Sequence, residues 1–356
     1  MMGAWSNNGR PATPSGAQEG RFEDADRRDM VPADGGDDGR LARALPKALI
    51  VCAIGGALSA TSTSVLAPAL VAYGLALSAA CGGKRGIAPG AALAVAAAAA
   101  VSLPQGATAL AGAVITSLAG LVVAGAFWAG RLTTGGSILA VAAISAAHLG
   151  TDAVLSAMSG TTLSATMASL IDAYKQAFLE ASPAASAQIE SVASLIELFW
   201  PATYVAVGFA EGVSAHLGLR FAKAPLSERG RKVPSLDAYD VPLWVVALLV
   251  ATAAALAVAL TVPAAPQTLL VVAANVAMTL RFAFAVQGLA VLAWYLGTKG
   301  IGPLPKVLLG ALALYLEVQF VVLTVAGVFD VWANFRHLGR GATDAGDPAN
   351  QDKEPA

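Results

Sequence analysis

The sequence predicts an all-α fold: a polytopic transmembrane helical bundle of about eight or nine spans, with an amphipathic helical segment outside the membrane. Three observations predict it. The 356-residue chain is 56% hydrophobic and only 13% charged, with a mean hydropathy of +0.66, whereas soluble domains carry roughly a quarter charged residues. The charges crowd the two ends: 14 of the 45 Asp, Glu, Lys and Arg residues lie in the first 43 positions and 8 lie between Asp330 and Glu354. Between them, apolar runs recur at about 20 residues, the length that crosses a hydrocarbon core of about 30 Å. A soluble enzyme with a water-facing surface is excluded. So is a nucleic-acid binder, because the net charge is −1 and no basic stripe is available to neutralise phosphates.

Residues 1–43 are polar and rich in Gly, Asp, Arg, Pro and Ala. Such a stretch buries too little apolar surface to offset chain entropy and reads as a disordered cytoplasmic tail. A secretory signal would place its apolar region within roughly the first two dozen residues, and here the first apolar run starts at Leu45. Spans are expected near 46–62, 65–82, 87–103, 106–130, 134–157, 195–218, 242–262, 266–296 and 307–329. Ser62-Thr63-Ser64, Gly82-Gly83-Lys84-Arg85-Gly86, Pro104-Gln105-Gly106 and the stretch from Pro263 to Gln267 break the runs where the chain must reverse. The run 266–296 is too long for one untilted helix and carries Arg281 in its middle. One tilted helix gives nine crossings, a re-entrant pair eight and two thin crossings ten.

These elements group into an N-terminal membrane bundle (44–157), an extracytoplasmic segment (158–193), a C-terminal membrane bundle (194–330) with a basic cytoplasmic loop at 219–240, and a polar tail (331–356). In 158–193, Leu163, Met167, Leu170, Ile171 and Tyr174 recur at helical spacing, as do Ile189, Val192, Leu195, Ile196 and Phe199, with Ser182-Pro183 between them. That is the pattern of an amphipathic hairpin lying on the membrane or capping the bundle. Arg43 with Lys47, Lys84 with Arg85, Arg131 and the 219–240 loop fall on one side if the first six spans alternate, which makes that side cytoplasmic. Beyond residue 262 the rule is in conflict with itself. Lys299 with Lys306 and Arg336 with Arg340 both ask to be inside, and a single crossing between them cannot satisfy both. A re-entrant or double crossing at 266–296 would bring the C-terminus back to the cytoplasm.

Ionisable groups within spans are costly, and each is a functional candidate. His148 and Asp152 stand four apart and share a helix face, so Asp152 can orient His148 in a ligand site or proton relay, or else be hydrated at the end of its span. Glu211 lies deep in the sixth span, where three readings are open: pairing with a cation from another span, binding a solute amine, or staying protonated. His216, five residues on, lies about 140° away around the helix and near the cytoplasmic end. Arg281 and Glu317 are the strong charges inside the last two apolar segments, where an ion pair between them or contact with a substrate both remain open. Asn275 and Gln287 are span amides that link helices or line a pocket. Gly86 with Gly90 and Gly208 with Gly212 have the GxxxG spacing of close helix packing.

No enzyme, metal or cofactor motif is visible. GxxxxGK[ST] and HExxH are absent, and Cys52 and Cys81 have neither CxxC spacing nor a Cys/His cluster around them. Gly212-Val213-Ser214 begins like the Gly-x-Ser-Gly of rhomboid-type intramembrane proteases, but Ala215 replaces the final glycine and no later Gly/His pair matches.

The C-terminal half carries a more specific pattern. Phe199-Trp200-Pro201 opens a span, and Tyr239-Asp240-Val241-Pro242 leads into the next. Gln287-Gly288 follows, and Asp330-Val331-Trp332-Ala333-Asn334-Phe335-Arg336 closes the apolar region. Over residues 45–340 this order resembles the YybS-like family of uncharacterised bacterial membrane proteins, which implies a multi-pass protein of the bacterial cytoplasmic (inner) membrane. The first half looks like the substrate-binding membrane subunits of energy-coupling-factor vitamin transporters, and that resemblance implies a small-solute site in the bundle. The candidate binding residues are then His148, Asp152, Glu211, Arg281 and Glu317. The expected function is a non-enzymatic transport subunit embedded in the lipid bilayer. With no nucleotide-binding segment, active transport would need an ATPase module as partner or an ion gradient. The alternative is a non-catalytic membrane scaffold for envelope or division proteins, with the tails and the 219–240 loop as its working surfaces.

Overall fold

The computed structural model describes residues 36–82, 84–228, 230 and 232–339. The reading of residues 1–43 as a disordered tail falls mostly outside the described residues, as does most of the C-terminal tail. Twelve helices follow in order, with no strand among the described residues: α1 (Gly36–Leu58), α2 (Ala67–Gly82), α3 (Lys84–Ser102), α4 (Ala107–Trp128), α5 (Thr134–Met158), α6 (Leu163–Ala181), α7 (Ser186–Phe221), α8 (Lys223–Glu228), α9 (Leu243–Thr261), α10 (Gln267–Thr298), α11 (Pro303–Phe320) and α12 (Val322–Ala333). Eight of the described helices are long and apolar enough to cross a membrane, and Leu45–Leu58 and Val322–Ala333 are shorter apolar helices. The all-α polytopic bundle is therefore what the chain forms.

Large apolar side chains point outward, among them Leu243, Met158, Val318 and Leu260. The interior is built largely from small residues. This inversion suits a lipid solvent, which gives helices no hydrophobic reason to associate and leaves close packing to hold them. A first core joins α1, α2, α3, α4 and α7 through Cys52, Val71, Leu75, Ala94, Val123, Phe127 and Leu219. A second joins the α9 lead-in, α9 and α10 through Val241, Val245, Leu280 and Phe284. Phe209 of α7 stacks on Phe282 of α10 with ring centroids 5.2 Å apart, bridging the two. Both GxxxG pairs lie at helix contacts: Gly86 and Gly90 pack against Ser78 and Leu75 of α2, and Gly208 and Gly212 against Ser145 and Val141 of α5. Cys52 is fully buried and Cys81 half-buried, and neither is in a disulfide.

Two features depart from the even spacing of spans. α7 is continuous through the 193/194 boundary and through Pro201, so the second limb of the hairpin and the sixth span are one 36-residue helix. Proline removes one backbone donor and disturbs the ladder around it. Asn275 of α10 fills that place. Its Oδ1 accepts from Ala202 N (2.9 Å) and its Nδ2 donates to Leu198 O (2.8 Å), so a side-chain amide stands beside the disturbed turn.

The other departure concerns the last span. The run 266–296 is one continuous helix, α10. It is the run 307–329 that breaks, at Val321, whose φ of 52° puts a β-branched residue in the left-handed region. α11 lies against α10 in the opposite sense, with Glu317 reaching Arg281. α12 then runs back in the same direction as α10: Thr324 meets Arg281, Gly327 meets Phe284 and Asp330 meets Gln287, in ascending order. Backbones approach so closely at Gly288 and Gly327 that a Cβ on either would collide with a carbonyl of the other helix. Arg336 consequently sits beside the start of α9, at the end of the bundle that also holds Lys299 and Lys306. The break in the last span thus brings Arg336 to the same end of the bundle as Lys299 and Lys306.

Candidate functional site

The deep polar groups fall into three clusters. The first is on α4, α5 and α7. α5 and α7 pack in opposite directions along a seam of small residues, from Ser137 with His216 at one end to Asp152 with Tyr204 at the other. In its middle is Glu211, 3% exposed. Its Oε1 accepts from Thr116 Oγ1 of α4 (2.7 Å), and its Oε2 lies 3.1 Å from His148 Nε2 of α5. An open groove of about 320 Å³ leads to this carboxylate from the α1–α2 loop, past Ser59, Thr61 and Ser64 on one wall and Gly112, Ala113 and Val207 on the other. Thr116 is nine residues into α4 from Ala107, about 14 Å along the axis at 1.5 Å per residue. The groove therefore reaches well into the bundle.

His148 and Asp152 share a face of α5 but have different partners. Tyr204 Oη donates to Asp152 Oδ2 (2.8 Å), while His148 turns to Glu211. Helical spacing correctly puts the two residues together on one face; it is silent on the helix opposite. His216 is engaged by Ser137 and by the Gly212 carbonyl, and Ser214 Oγ is buried without a hydrogen-bond partner. The Ser214 and His216 side chains therefore form no nucleophile–base pair.

The second cluster joins α10, α11 and α12. Arg281 Nε donates to Glu317 Oε1 (2.9 Å) and Arg281 Nη2 donates to the Glu317 carbonyl (2.6 Å). Glu317 also accepts from Thr324 N (2.9 Å) and Thr324 Oγ1 (2.7 Å). Its carboxylate thereby satisfies a backbone donor in the first turn of α12, which no intrahelical carbonyl can reach. Arg281 and Glu317 are brought together, and apart from the His148–Glu211 groove.

The third cluster was missed as a site by sequence reasoning. Arg336, 5% exposed, donates to Asp330 Oδ2 through Nη2 (2.8 Å) and Nε (3.3 Å), and through Nη1 to the carbonyls of Asp237 (2.7 Å) and Tyr239 (2.6 Å). Gln287, fully buried, donates to Asp240 Oδ1 (3.0 Å) and Asp330 Oδ2 (2.8 Å) and accepts from Val241 N (3.0 Å). Burial also pushes the Tyr239 phenol upward from its ordinary value. The signal lay in the sequence as Tyr239-Asp240-Val241-Pro242, Gln287-Gly288 and Asp330 with Arg336, three separate motif pieces that converge on one network. No group of three or more His, Cys, Asp or Glu residues suited to a metal ion occurs among the described residues.

Residues 48–331 match the family model described as a predicted membrane protein, DUF2232. The chain belongs to the DUF2232 family. No curated protein and no solved structure matches it. The part of this DUF2232 chain that the family model spans holds Thr116, His148, Glu211, Arg281, Glu317, Gln287 and Asp330, while Arg336 lies just past its end.

Proposed function

We propose that this DUF2232 protein is a non-enzymatic transport subunit that binds a small polar solute in the groove between α4, α5 and α7. The observation that carries the reading is Glu211: a nearly buried carboxylate at mid-bundle, held by Thr116 and His148, at the foot of an open groove. A charge there is expensive in a lipid-embedded bundle. A groove of about 320 Å³ is at the small end of ligand sites and holds about ten water volumes. His148 and Glu211 are the recognition residues of this reading, and Asp152 is a neighbour that fixes Tyr204. Arg281 and Glu317 hold the α11–α12 break instead of touching solute. The sidedness that fits is a bacterial cytoplasmic membrane with the basic end inside and the groove opening outside. An ATPase module or an ion gradient would then drive release.

The test is native mass spectrometry of the full chain in mild detergent. A stoichiometric small molecule, lost in Glu211→Gln, or a co-purifying ATPase is the expected result. Repeated recovery of envelope or division proteins with an empty bundle would overturn the reading in favour of a scaffold.

A further inference from the structure

The hydrogen-bond polarity of the groove narrows what it binds. Ser59 Oγ donates to Gly56 O (2.6 Å), Thr61 Oγ1 to Leu58 O (2.7 Å) and Thr116 Oγ1 to Glu211 Oε1 (2.7 Å). A hydroxyl has one proton and two lone pairs, so each of these three has committed its proton to the protein. Thr61 also receives Thr63 N (3.3 Å) and lies 3.0 Å from Thr63 Oγ1, which leaves Ser59 and Thr116 with free lone pairs. Glu211 has about four lone-pair sites as a carboxylate, and Thr116 and His148 occupy two of them. No Lys or Arg lines the groove. An anion would meet lone pairs and a carboxylate, and a neutral acceptor would find the Ser64 hydroxyl and the His148 ring as the lining side chains with a proton to offer. A donor-rich cation finds both charge and acceptors.

We propose that the groove takes a small organic ammonium ion, a protonated amine, with Glu211 as its counter-charge and Thr116 and Ser59 as further acceptors. This rests on the solute-binding reading above and names its substrate class. The amine's apolar part lies along Gly112, Ala113 and Val207, where the wall is made of small residues.

Three probes of nearly one shape test it on the full-length protein in detergent: benzylammonium, benzyl alcohol and benzoate, with potassium chloride as an inorganic cation, each titrated by thermal shift and calorimetry. Benzylammonium is expected to raise the melting temperature in a saturable way and the other three are not. Glu211→Gln should weaken benzylammonium by about ten- to a hundredfold, the worth of one charged hydrogen bond. Gly112→Leu covers the case in which that variant fails to fold. A Cβ at Gly112 meets nothing within 4 Å, so the added side chain starts in open space; a melting temperature near that of the wild type shows the variant is folded, and its filled groove should lose the benzylammonium shift. Equal binding of benzyl alcohol or benzoate, saturable binding of potassium alone, or unchanged benzylammonium affinity in Glu211→Gln or in a folded Gly112→Leu would overturn the amine assignment. A neutral or anionic solute found on the native protein and displaced by Gly112→Leu would overturn the amine and keep the solute site. An empty native protein that binds no probe of any charge would remove both.

Discussion

Replacing Arg336 by alanine isolates the energetics of the C-terminal network. The guanidinium and the Asp330 carboxylate are both fully out of solvent at the side chain. Removing the cation leaves the Asp330 carboxylate buried without its guanidinium, with Gln287 Nε2 and Phe335 N among its remaining donors. It also strips a donor from the carbonyls of Asp237 and Tyr239. Breaking a buried pair from one side costs about 3–5 kcal/mol, which at roughly 2–4 °C per kcal/mol is a melting shift of at least about 6 °C. Removing both charges in Asp330→Ala with Arg336→Ala should cost less than the two single variants summed, because neither charge is then stranded. The assay is a melting series by size-exclusion chromatography in detergent on the wild type, both single variants and the double. A single-variant loss below about 1 kcal/mol, or strict additivity in the double variant, would refute the argument. Arg336→Lys should recover only part of the loss, since one ammonium cannot hold a carboxylate and two carbonyls in the planar fork geometry.

Other perturbations address other joints. Gly327→Ala drives a methyl into the Phe284 carbonyl and should cost about 1–3 kcal/mol, whereas Gly125→Ala, where a Cβ meets nothing within 4 Å, should stabilise α4 by about 0.5–1 kcal/mol; melting of the two variants reads both. Asn275→Leu withdraws the amide from Ala202 N and Leu198 O beside Pro201 and should destabilise by about 1–3 kcal/mol, with faster hydrogen exchange in α7 as the local signature. Lys175 on α6 pairs with Glu190 of α7 at 2.7 Å, and the hydrogen bond holds its ammonium above the ordinary 10.5. A raised cationic value contributes below the unfolded pKa and is lost as pH rises through the folded one. Spin labels at Asp172 and Ala187 should therefore keep one separation through neutral pH and spread only once the ammonium is titrated at strongly alkaline pH, and spreading already at neutral pH would refute the pairing.

How much of this was legible follows from what each signal encodes. Hydropathy fixes which stretches leave water, and the runs at 65–82, 134–157 and 242–262 appear as α2, α5 and α9 with shifts of a few residues. The cost of a lone charge in lipid made an ion pair between Arg281 and Glu317 one of two open readings, and the helix docking forms that pair. The break at Val321 had no such signal. Left-handed backbone is usually marked by Gly or Asn, and a valine inside an apolar run looks like uninterrupted helix. Here the left-handed turn is over-determined from outside, by the Glu317 carboxylate on Thr324 and by the close approach of α12 to α10. Partner choice across helices was equally hidden. Spacing put His148 beside Asp152, but the distance to Glu211 and Thr116 depends on how three helices dock.

The clusters also differ in a way that separates support from binding. Around Arg336 the polar capacity is consumed: all its nitrogens donate, both Gln287 side-chain atoms are engaged, and Asp330 accepts on both oxygens. A buried network completed in this way rigidifies its surroundings and has nothing left for a ligand. Glu211 is held by two donors and retains acceptor capacity at the foot of a groove. Substitutions at the two sites should therefore separate in their readouts. Arg336→Ala should lower melting temperature with or without added amine, by nearly the same amount. Glu211→Gln, which keeps the side chain's size and one acceptor oxygen, should change the melting temperature of the empty protein little and abolish most of the benzylammonium increment. If Arg336→Ala also abolished that increment in protein held well below its melting point, the groove and the C-terminal network would be one coupled unit, and the division between a binding half and a supporting half would fail.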